Sequence, residues 1–230
     1  MINNEDTPQG DINVWISFAD LFAGLLLIVI IGIGALWKPQ IEQKKEDVLF
    51  SDNLIREMNK ATAINKQMKD KLRKRLPEMG DSETEIVIPA EALYASGGYD
   101  VTDPSKQTTL KTIRQALREA LDQAGEDRKF LRIIIEGHTD SDPIKSSTAT
   151  KEIPTNWELS SRRATGVLRF FEEGGLIASD YNIVAMGLAD TVPVATGNTE
   201  NDKRRNRRIV IRIEPDLDKI RASLYPQVQK

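Results

Sequence analysis

The stretch LRIIIEG, residues 131–137, decides the fold of the C-terminal part of this 230-residue chain. Its three consecutive isoleucines are typical of a buried β-strand. The polar segment HTDSDP follows at once, so the strand ends at a loop that carries His138 and Asp140. Open α/β sheets bind their ligands at the carboxyl ends of strands. The sequence therefore predicts a sheet with a candidate binding residue, Asp140, at the end of its central strand.

Strands and helices alternate on both sides of this segment. Short β-branched or alternating runs predict strands at 85–89, 131–137, 181–187 and 206–213. Apolar residues at helical spacing predict helices at 108–125 and 156–175. Gly125 is expected to end the first helix, and Thr155 with Glu158 to form a capping box that begins the second. The order β-α-β-α-β-β predicts an α+β domain, placed at 81–215, in which helices cover one sheet.

Residues 14–37, VWISFADLFAGLLLIVIIGIGALW, form a long apolar block near the N-terminus. As a helix this block would be roughly 36 Å long, which is enough to cross a bilayer. The residues before it are acidic, whereas a signal peptide has a basic start and a shorter apolar core. We therefore expect an uncleaved transmembrane helix, preceded by a short tail at 1–13.

Asp20 lies inside this apolar block. A carboxylate in a membrane costs about 2.5–3.5 kcal/mol even on insertion scales, so such a residue is a functional candidate. The small residues Ala23 and Gly24 follow it and would let a partner helix approach closely. The alternative is an Asp20 side chain that only reaches toward the near end of the span.

Residues 38–80 are predicted to form a helical stalk. Pro39 is expected to break the helix as the chain leaves the membrane. Two loose heptad traces follow, and they suggest pairing with a second copy of the chain; they consist of Ile41, Val48 and Ile55, and of Leu54, Ala61 and Met68. The basic run at 66–75 could bind lipid or nucleic acid, but a solvated helix face is the favoured interpretation. Residues 216–230 are predicted to be a C-terminal tail.

Composition argues against several functional classes. The formal charge is −3, so the chain lacks the overall basic character of a nucleic-acid-binding protein. There is no cysteine and one histidine, His138, which rules out thiolate and multi-histidine metal sites. No nucleophile elbow is present, and no second acid is placed to act with Asp140 on a glycosidic bond. We expect no catalytic residues, no metal and no cofactor.

Spacing alone suggests what Asp140 could bind. Asn156, Ser160 and Arg163 share one face of the predicted second helix. Asp140 facing Arg163 near a helix N-terminus would suit a zwitterion, because the carboxylate can hold an ammonium and the guanidinium a carboxylate. A structural ion pair between Asp140 and Arg163 is the alternative, and the spacing does not decide between the two.

Four blocks in order, IIIEGHTD, NWELSSRRA, VAMGLADTVPV and NRRIVIRI, resemble the OmpA-like peptidoglycan-binding domain over residues 84–214. The resemblance implies an OmpA-like α/β sandwich in which Asp140 and Arg163 bind the diaminopimelate of the cell-wall stem peptide. It further implies wall-binding positions at Asn156, Leu159, Asn206, Arg207 and Arg208. The long 141–155 loop and the NWELS spelling are more similar to the flagellar stator subunit MotB.

The layout of one span that begins WISFAD, a stalk and an OmpA-like domain resembles the B subunit of ion-driven stators. This resemblance implies that Asp20 accepts and releases the coupling ion, a proton or sodium, beside a multi-span MotA- or ZorA-like subunit. It also implies a bacterial inner-membrane protein with its N-terminus in the cytoplasm and its domain in the periplasm. Three lysines that follow the span, Lys38, Lys44 and Lys45, favour the opposite orientation.

Within that class, two features lean toward ZorB of the Zorya anti-phage systems. Flagellar B subunits tend to carry a basic tail and a span that continues YADFVTAMM, whereas this chain has an acidic tail and reads FADLFAGLLL. A flagellar MotB-type stator subunit and a passive OmpA-like cell-wall tether remain the alternatives.

Overall fold

The computed structural model describes residues 9–76, 79, 82, 85–95, 97–101, 103–144 and 153–225, with side chains from Phe18 onward. The chain divides into two compact units, one that runs to Ser51 and one that begins at Asp52. The fold prediction is confirmed: a long apolar helix is followed by a small mixed sheet with helices.

Helix α1, Gln9–Arg73, contains both the predicted span and most of the predicted stalk. Among the described residues it is the one helix long and apolar enough to cross a membrane. The large apolar side chains between Phe18 and Trp37 are exposed, as expected of residues that face lipid. The predicted stalk extends to residue 80, and residues 77, 78 and 80 at its end lie outside the described residues.

The expected helix break at Pro39 is wrong, because α1 continues through this residue. A proline removes one backbone hydrogen bond and its ring crowds the preceding turn, which costs about 3 kcal/mol. That cost is local, and the hydrogen bonds before and after it in so long a helix are unaffected.

The sheet has four strands in the order β1-β4-β2-β3. Strand β2 pairs in parallel with β3, and β4 is antiparallel to both β1 and β2. The strands are β1 Ile86–Pro89, β2 Leu131–His138, β3 Ile183–Gly187 and β4 Arg208–Pro215. All four predicted strands are therefore present, although β3 and β4 each begin two residues later than the sequence pattern suggests.

Two long helices follow β1 and β2, as predicted, and shorter ones lie between the later elements. They are α2 Pro104–Ala124, α3 Asn156–Glu173, α4 Ala178–Tyr181, α5 Glu200–Asn206 and α6 Leu217–Leu224. The capping box of Thr155 and Glu158 is confirmed at the start of α3. Gly125 follows α2 with a φ of 56°, a conformation that glycine adopts without strain. Helix α6 lies in the segment predicted as a tail.

Gly137 on β2 sets the distance between α3 and the sheet. A Cβ at this position would lie 2.1 Å from the carbonyl oxygen of Ser160. Only glycine permits so close an approach, so the first turns of α3 pack directly against the carboxyl end of β2. This packing brings Asn156 and Arg163 close to the loop that carries Asp140.

The last turns of α1 belong to the core of the C-terminal unit. Ala61, Met68 and Leu72 are buried in the same apolar cluster as the inward-facing isoleucines of the sheet. The suggestion that Ala61 and Met68 pair with a second copy of the chain is therefore wrong, because this stripe of the helix packs against the domain. Lys69 in the basic run is also buried, whereas Lys66 and Lys74 are exposed.

Asn65 extends the sheet where β1 is too short. Its side-chain amide donates to the carbonyl oxygen of Ile213 at 2.8 Å and accepts from the Ile213 amide at 3.2 Å. Strand β1 pairs with β4 only as far as Ile211. The Asn65 side chain therefore satisfies the backbone groups of β4 that β1 does not reach.

We expect Asn65→Ala to destabilise the C-terminal unit by about 1–3 kcal/mol, because it leaves a buried donor and acceptor of Ile213 without partners. Thermal unfolding of the detergent-solubilised chain, followed by circular dichroism, measures the loss. Lys66→Ala, at the exposed neighbouring position, is the control and should change stability little. Equal stability of the two variants would show that the Asn65 bonds contribute nothing.

Candidate functional site

A cavity of about 460 Å³ opens beside the carboxyl end of β2. Five of the seven predicted wall-binding residues line it, namely Asp140, Asn156, Leu159, Arg163 and Arg207. The structure adds residues that sequence reasoning missed, among them Glu91, Tyr94, Lys106, Thr139 and Glu200. The cavity thus combines charged groups of both signs with an aromatic ring and an apolar side chain.

Asp140 is held by the loop and by Arg207. One carboxylate oxygen accepts from the backbone amide of Asp142 at 3.1 Å, and the other lies 2.7 Å from Nη1 of Arg207. The alternative of a structural ion pair between Asp140 and Arg163 is therefore not formed; the partner of Asp140 is Arg207.

Arg207 contacts three carboxylates at once. Its Nη2 lies 3.1 Å from Glu91 and 2.6 Å from Glu200, in addition to the contact with Asp140. Burial opposes the charge of Arg207, but the hydrogen bonds to these carboxylates outweigh it and raise the pKa of the guanidinium. Lys203 and Arg204 also contact this wall, so three basic side chains face four carboxylates, and the wall keeps an excess of negative charge.

Arg163 lies in the same cavity in a different environment. Its Nε donates to the carbonyl oxygen of Gly98 at 2.9 Å, and its guanidinium lies 5.0 Å from the centre of the Tyr94 ring. The residue is 4% exposed, and this burial lowers the pKa of the guanidinium. No carboxylate in the described part of the chain lies within ion-pair distance of Arg163. A buried cation with no described carboxylate at ion-pair distance favours an incoming anion.

Asn156 and Leu159 shape the cavity rather than charge it. The Asn156 amide donates to the carbonyl oxygens of Asp140 and Asp142 at 3.1 and 3.0 Å, so it fixes the loop that carries Asp140. Leu159 supplies an apolar surface. Ser160, which shares the predicted face, instead accepts from the Ala189 amide at 3.1 Å and does not line the cavity.

Asn206 and Arg208 lie outside the cavity. Asn206 holds a loop, because its side chain bonds the backbone of Val194 and Ala195 at 2.9–3.0 Å. Arg208 donates to the carbonyl oxygens of Asn206 and Val192 at 3.2 and 3.0 Å. The structure thus separates these two residues from the other five, which share one cavity.

One of the missed residues, Glu91, follows from strand register. Pro89 pairs with Arg208 across β1 and β4, so the turn Ala90–Ala92 that follows β1 lies beside Arg207. Glu91 in that turn reaches Arg207 for this reason. An antiparallel pairing assigned from the sequence would have revealed Glu91, but the sequence pattern gives no such register.

Asp20 lies on the exposed surface of α1, and so do Ala23 and Gly24. A Cβ added at Gly24 would meet nothing within 4 Å. The described part of the chain holds no cluster of acidic and histidine residues suited to a metal ion. Most of the predicted 141–155 loop, residues 145–152, lies outside the described residues.

Residues 93–207, about half of the chain, match the OmpA family. The protein YtxE of Bacillus subtilis is 29% identical over 177 residues, which cover 76% of this chain and 64% of YtxE. Motility protein B of the same organism is 36% identical over 83 residues, 36% of this chain and 30% of that protein. The chain thus spans less than two thirds of either relative.

Among solved structures, the cell wall anchor of the T6SS from Pseudomonas aeruginosa is similar to this chain. It is 28% identical and superposes with a TM-score of 0.50. The superposition covers 66% of this chain and 98% of that one.

Proposed function

Because the chain belongs to the OmpA family, we propose that its C-terminal unit binds peptidoglycan in the cavity beside Asp140 and anchors a membrane protein to the cell wall. The observation that carries this proposal is the buried Arg163, which lacks a carboxylate partner among the described residues and lies in the same cavity as an acid-rich wall. The similarity to a cell wall anchor supports it.

Diaminopimelate is the part of peptidoglycan that suits this charge pattern. Its free amino acid end is a zwitterion, with an ammonium and a carboxylate on one carbon. The carboxylate of diaminopimelate would bind Arg163. Its ammonium would bind the wall formed by Asp140, Glu91 and Glu200, because Arg207 does not neutralise all of these carboxylates. Retention of the detergent-solubilised chain on purified sacculi tests this function.

We further propose that the chain is the B subunit of an ion-driven stator. Asp20 on the exposed face of α1 would exchange a proton or a sodium ion beside a multi-span MotA- or ZorA-like subunit. The similarity to motility protein B supports this role. Ala23 and Gly24 leave room for a partner helix next to Asp20. A passive tether, in which Asp20 has no role, is the alternative.

The biological process that such a motor serves, anti-phage defence or motility, is a prediction from the sequence. The acidic tail and the FADLFAGLLL stretch favour a ZorB-like role in anti-phage defence, and the relation to motility protein B favours a flagellar role. The neighbouring genes discriminate between them. Flagellar or chemotaxis genes beside this one would contradict the defence role, and helicase-like or nuclease genes would support it.

The proposed function also requires an orientation. Peptidoglycan lies outside the inner membrane, so the C-terminal unit would be periplasmic and the N-terminus cytoplasmic. The lysines after the span oppose this orientation, but charge bias in short loops is a tendency, and a partner subunit can dictate insertion.

The stalk segment of α1 is expected to pair with a second copy of the chain. Ile41, Val48 and Ile55 recur at heptad spacing and are each about half exposed, with 50%, 55% and 53% of their surface accessible. Single cysteines at these positions, in a chain that otherwise has none, should be crosslinked into dimers by a membrane-impermeant bis-maleimide added to spheroplasts.

A cysteine at Glu42, which does not belong to the heptad trace, is the matched control for the dimer. If the cysteines at all three heptad positions react with the maleimide but form no dimers, the paired stalk is contradicted and the periplasmic orientation is still supported. Absence of labelling in spheroplasts, with labelling restored after lysis, would contradict the periplasmic orientation.

A further inference from the structure

A second groove, of about 440 Å³, lies on the other side of helix α5 from the Asp140 cavity. Glu200 and Arg207 line the cavity, whereas Asn201, Arg204 and Arg205 line the groove. Its remaining lining includes Arg208 and three apolar residues, Val87, Pro89 and Val194. We call this surface, defined by Arg204, Arg205 and Arg208, the arginine groove.

The three guanidiniums of the arginine groove are only partly neutralised by described carboxylates: Glu85 and Glu136 act on Arg208, and Asp202 acts on Arg205. Arg208 is 5% exposed, and it bonds two carbonyl oxygens but no described carboxylate. Arg204 has its nearest carboxylate, Glu91, at 3.9 Å, the limit of an ion pair. Glu85 is the one carboxylate among the described residues that line the groove.

A buried arginine normally has an anionic partner, because leaving its charge uncompensated is costly. Burial lowers the pKa of Arg208 and outweighs the attraction of Glu85 and Glu136, so its charge is only partly compensated. The two neighbouring guanidiniums on α5 add to the positive charge at the mouth of the groove. Guanidiniums bind carboxylates in a planar, two-pronged geometry, and the apolar residues beside them suit a short aliphatic group.

We propose that the arginine groove binds a free carboxylate of a second peptidoglycan stem peptide, in addition to the peptide held in the Asp140 cavity. This inference rests on the proposed wall-binding function. The alanine residues of stem peptides supply both the carboxylate and the small methyl groups that fit Val87, Pro89 and Val194. Two contacts on neighbouring peptides would bind a polymeric wall more tightly than a single soluble fragment.

The double variant Arg204→Gln/Arg205→Gln tests the groove in the full-length chain in detergent. We expect its retention on sacculi to fall about tenfold, since charge-assisted hydrogen bonds to a carboxylate are lost. Its affinity for a soluble muropeptide with one stem peptide should be unchanged, because that ligand occupies the Asp140 cavity. Lys66→Gln/Lys74→Gln removes the same charge from exposed positions on α1 and should retain full binding.

Each result has a distinct meaning. Full sacculus retention in the arginine double variant would overturn the groove and leave the wall-binding proposal intact. An equal loss for the single muropeptide would show that the groove is not a separate site. If the wild-type chain did not bind sacculi at all, both proposals would fall.

The chemical class of the anion is tested separately. Hydrofluoric acid removes phosphate-bearing polymers from sacculi and leaves the stem peptides. The wild-type chain should still bind such sacculi about ten times better than the arginine double variant. Loss of this difference would identify a phosphate as the bound anion and overturn the proposed carboxylate.

Discussion

Asp20→Asn is expected to abolish the biological output of this protein, whether motility or phage protection, while membrane insertion and wall binding stay at wild-type levels. Asparagine keeps the size and hydrogen-bonding capacity of aspartate but cannot take up or release a proton at any pH. In the bilayer the ionised carboxylate is costly, so a proposed ion carrier at this position would work by changing its charge state. The loss should therefore be complete rather than partial.

Membrane expression and sacculus retention measure the functions that should be retained. A motility or phage-plating assay measures the biological output that should be lost. Asp20→Glu keeps the charge and moves it by one methylene group, so it should retain part of the activity. If the protein is a passive tether, the Asp20→Asn variant should instead insert more easily and keep normal activity, because the costly carboxylate is removed. Full activity of the asparagine variant would end the stator proposal but not the wall-binding one.

Asp140→Ala and Arg163→Ala are each expected to lower the affinity for diaminopimelate-type peptidoglycan by about 10–100-fold, the value of a charge-assisted bond to a ligand. We expect both variants to fold. Arg207 keeps Glu91 and Glu200 after Asp140 is removed, and removal of Arg163 relieves a buried charge without a described carboxylate partner.

Exposed residues of the same type provide the controls. Arg169→Ala on α3 and Asp190→Ala after β3 should bind sacculi normally. The double variant Asp140→Ala/Arg163→Ala should lose less than the sum of the two single losses, because both groups contact one ligand. Normal binding by both single variants would refute the assignment of the cavity.

Local sequence patterns predicted the helices and strands well, because these elements are determined by residues that are close together in the chain. The isoleucine run of β2, the helical spacing of α2 and the capping box of α3 each depend on residues close together in the chain. The placement of Asp140 and Arg163 in one cavity also followed from motifs that lie at fixed positions relative to these elements.

The partners of these residues could not be predicted in the same way. Arg207 and Asp140 are 67 residues apart in the chain and meet through the pairing of β4 with β2. The role of Asn65 depends on a contact with β4 that is 148 residues distant. At Pro39 the tendency of proline to break helices gave a wrong prediction, because a single lost hydrogen bond does not end a long helix.

The burial of Ala61, Met68 and Leu72 in the domain core has a consequence for the boundary of the independently folding unit. The region shared with the OmpA family begins at residue 93, after β1 and the last turns of α1. A fragment that starts there would expose the apolar side of the sheet and an unpaired edge of β4, which invites aggregation. The region that matches the OmpA family is thus shorter than the unit that must fold cooperatively. Transplanting this domain into another protein would therefore require residues from about 52 onward.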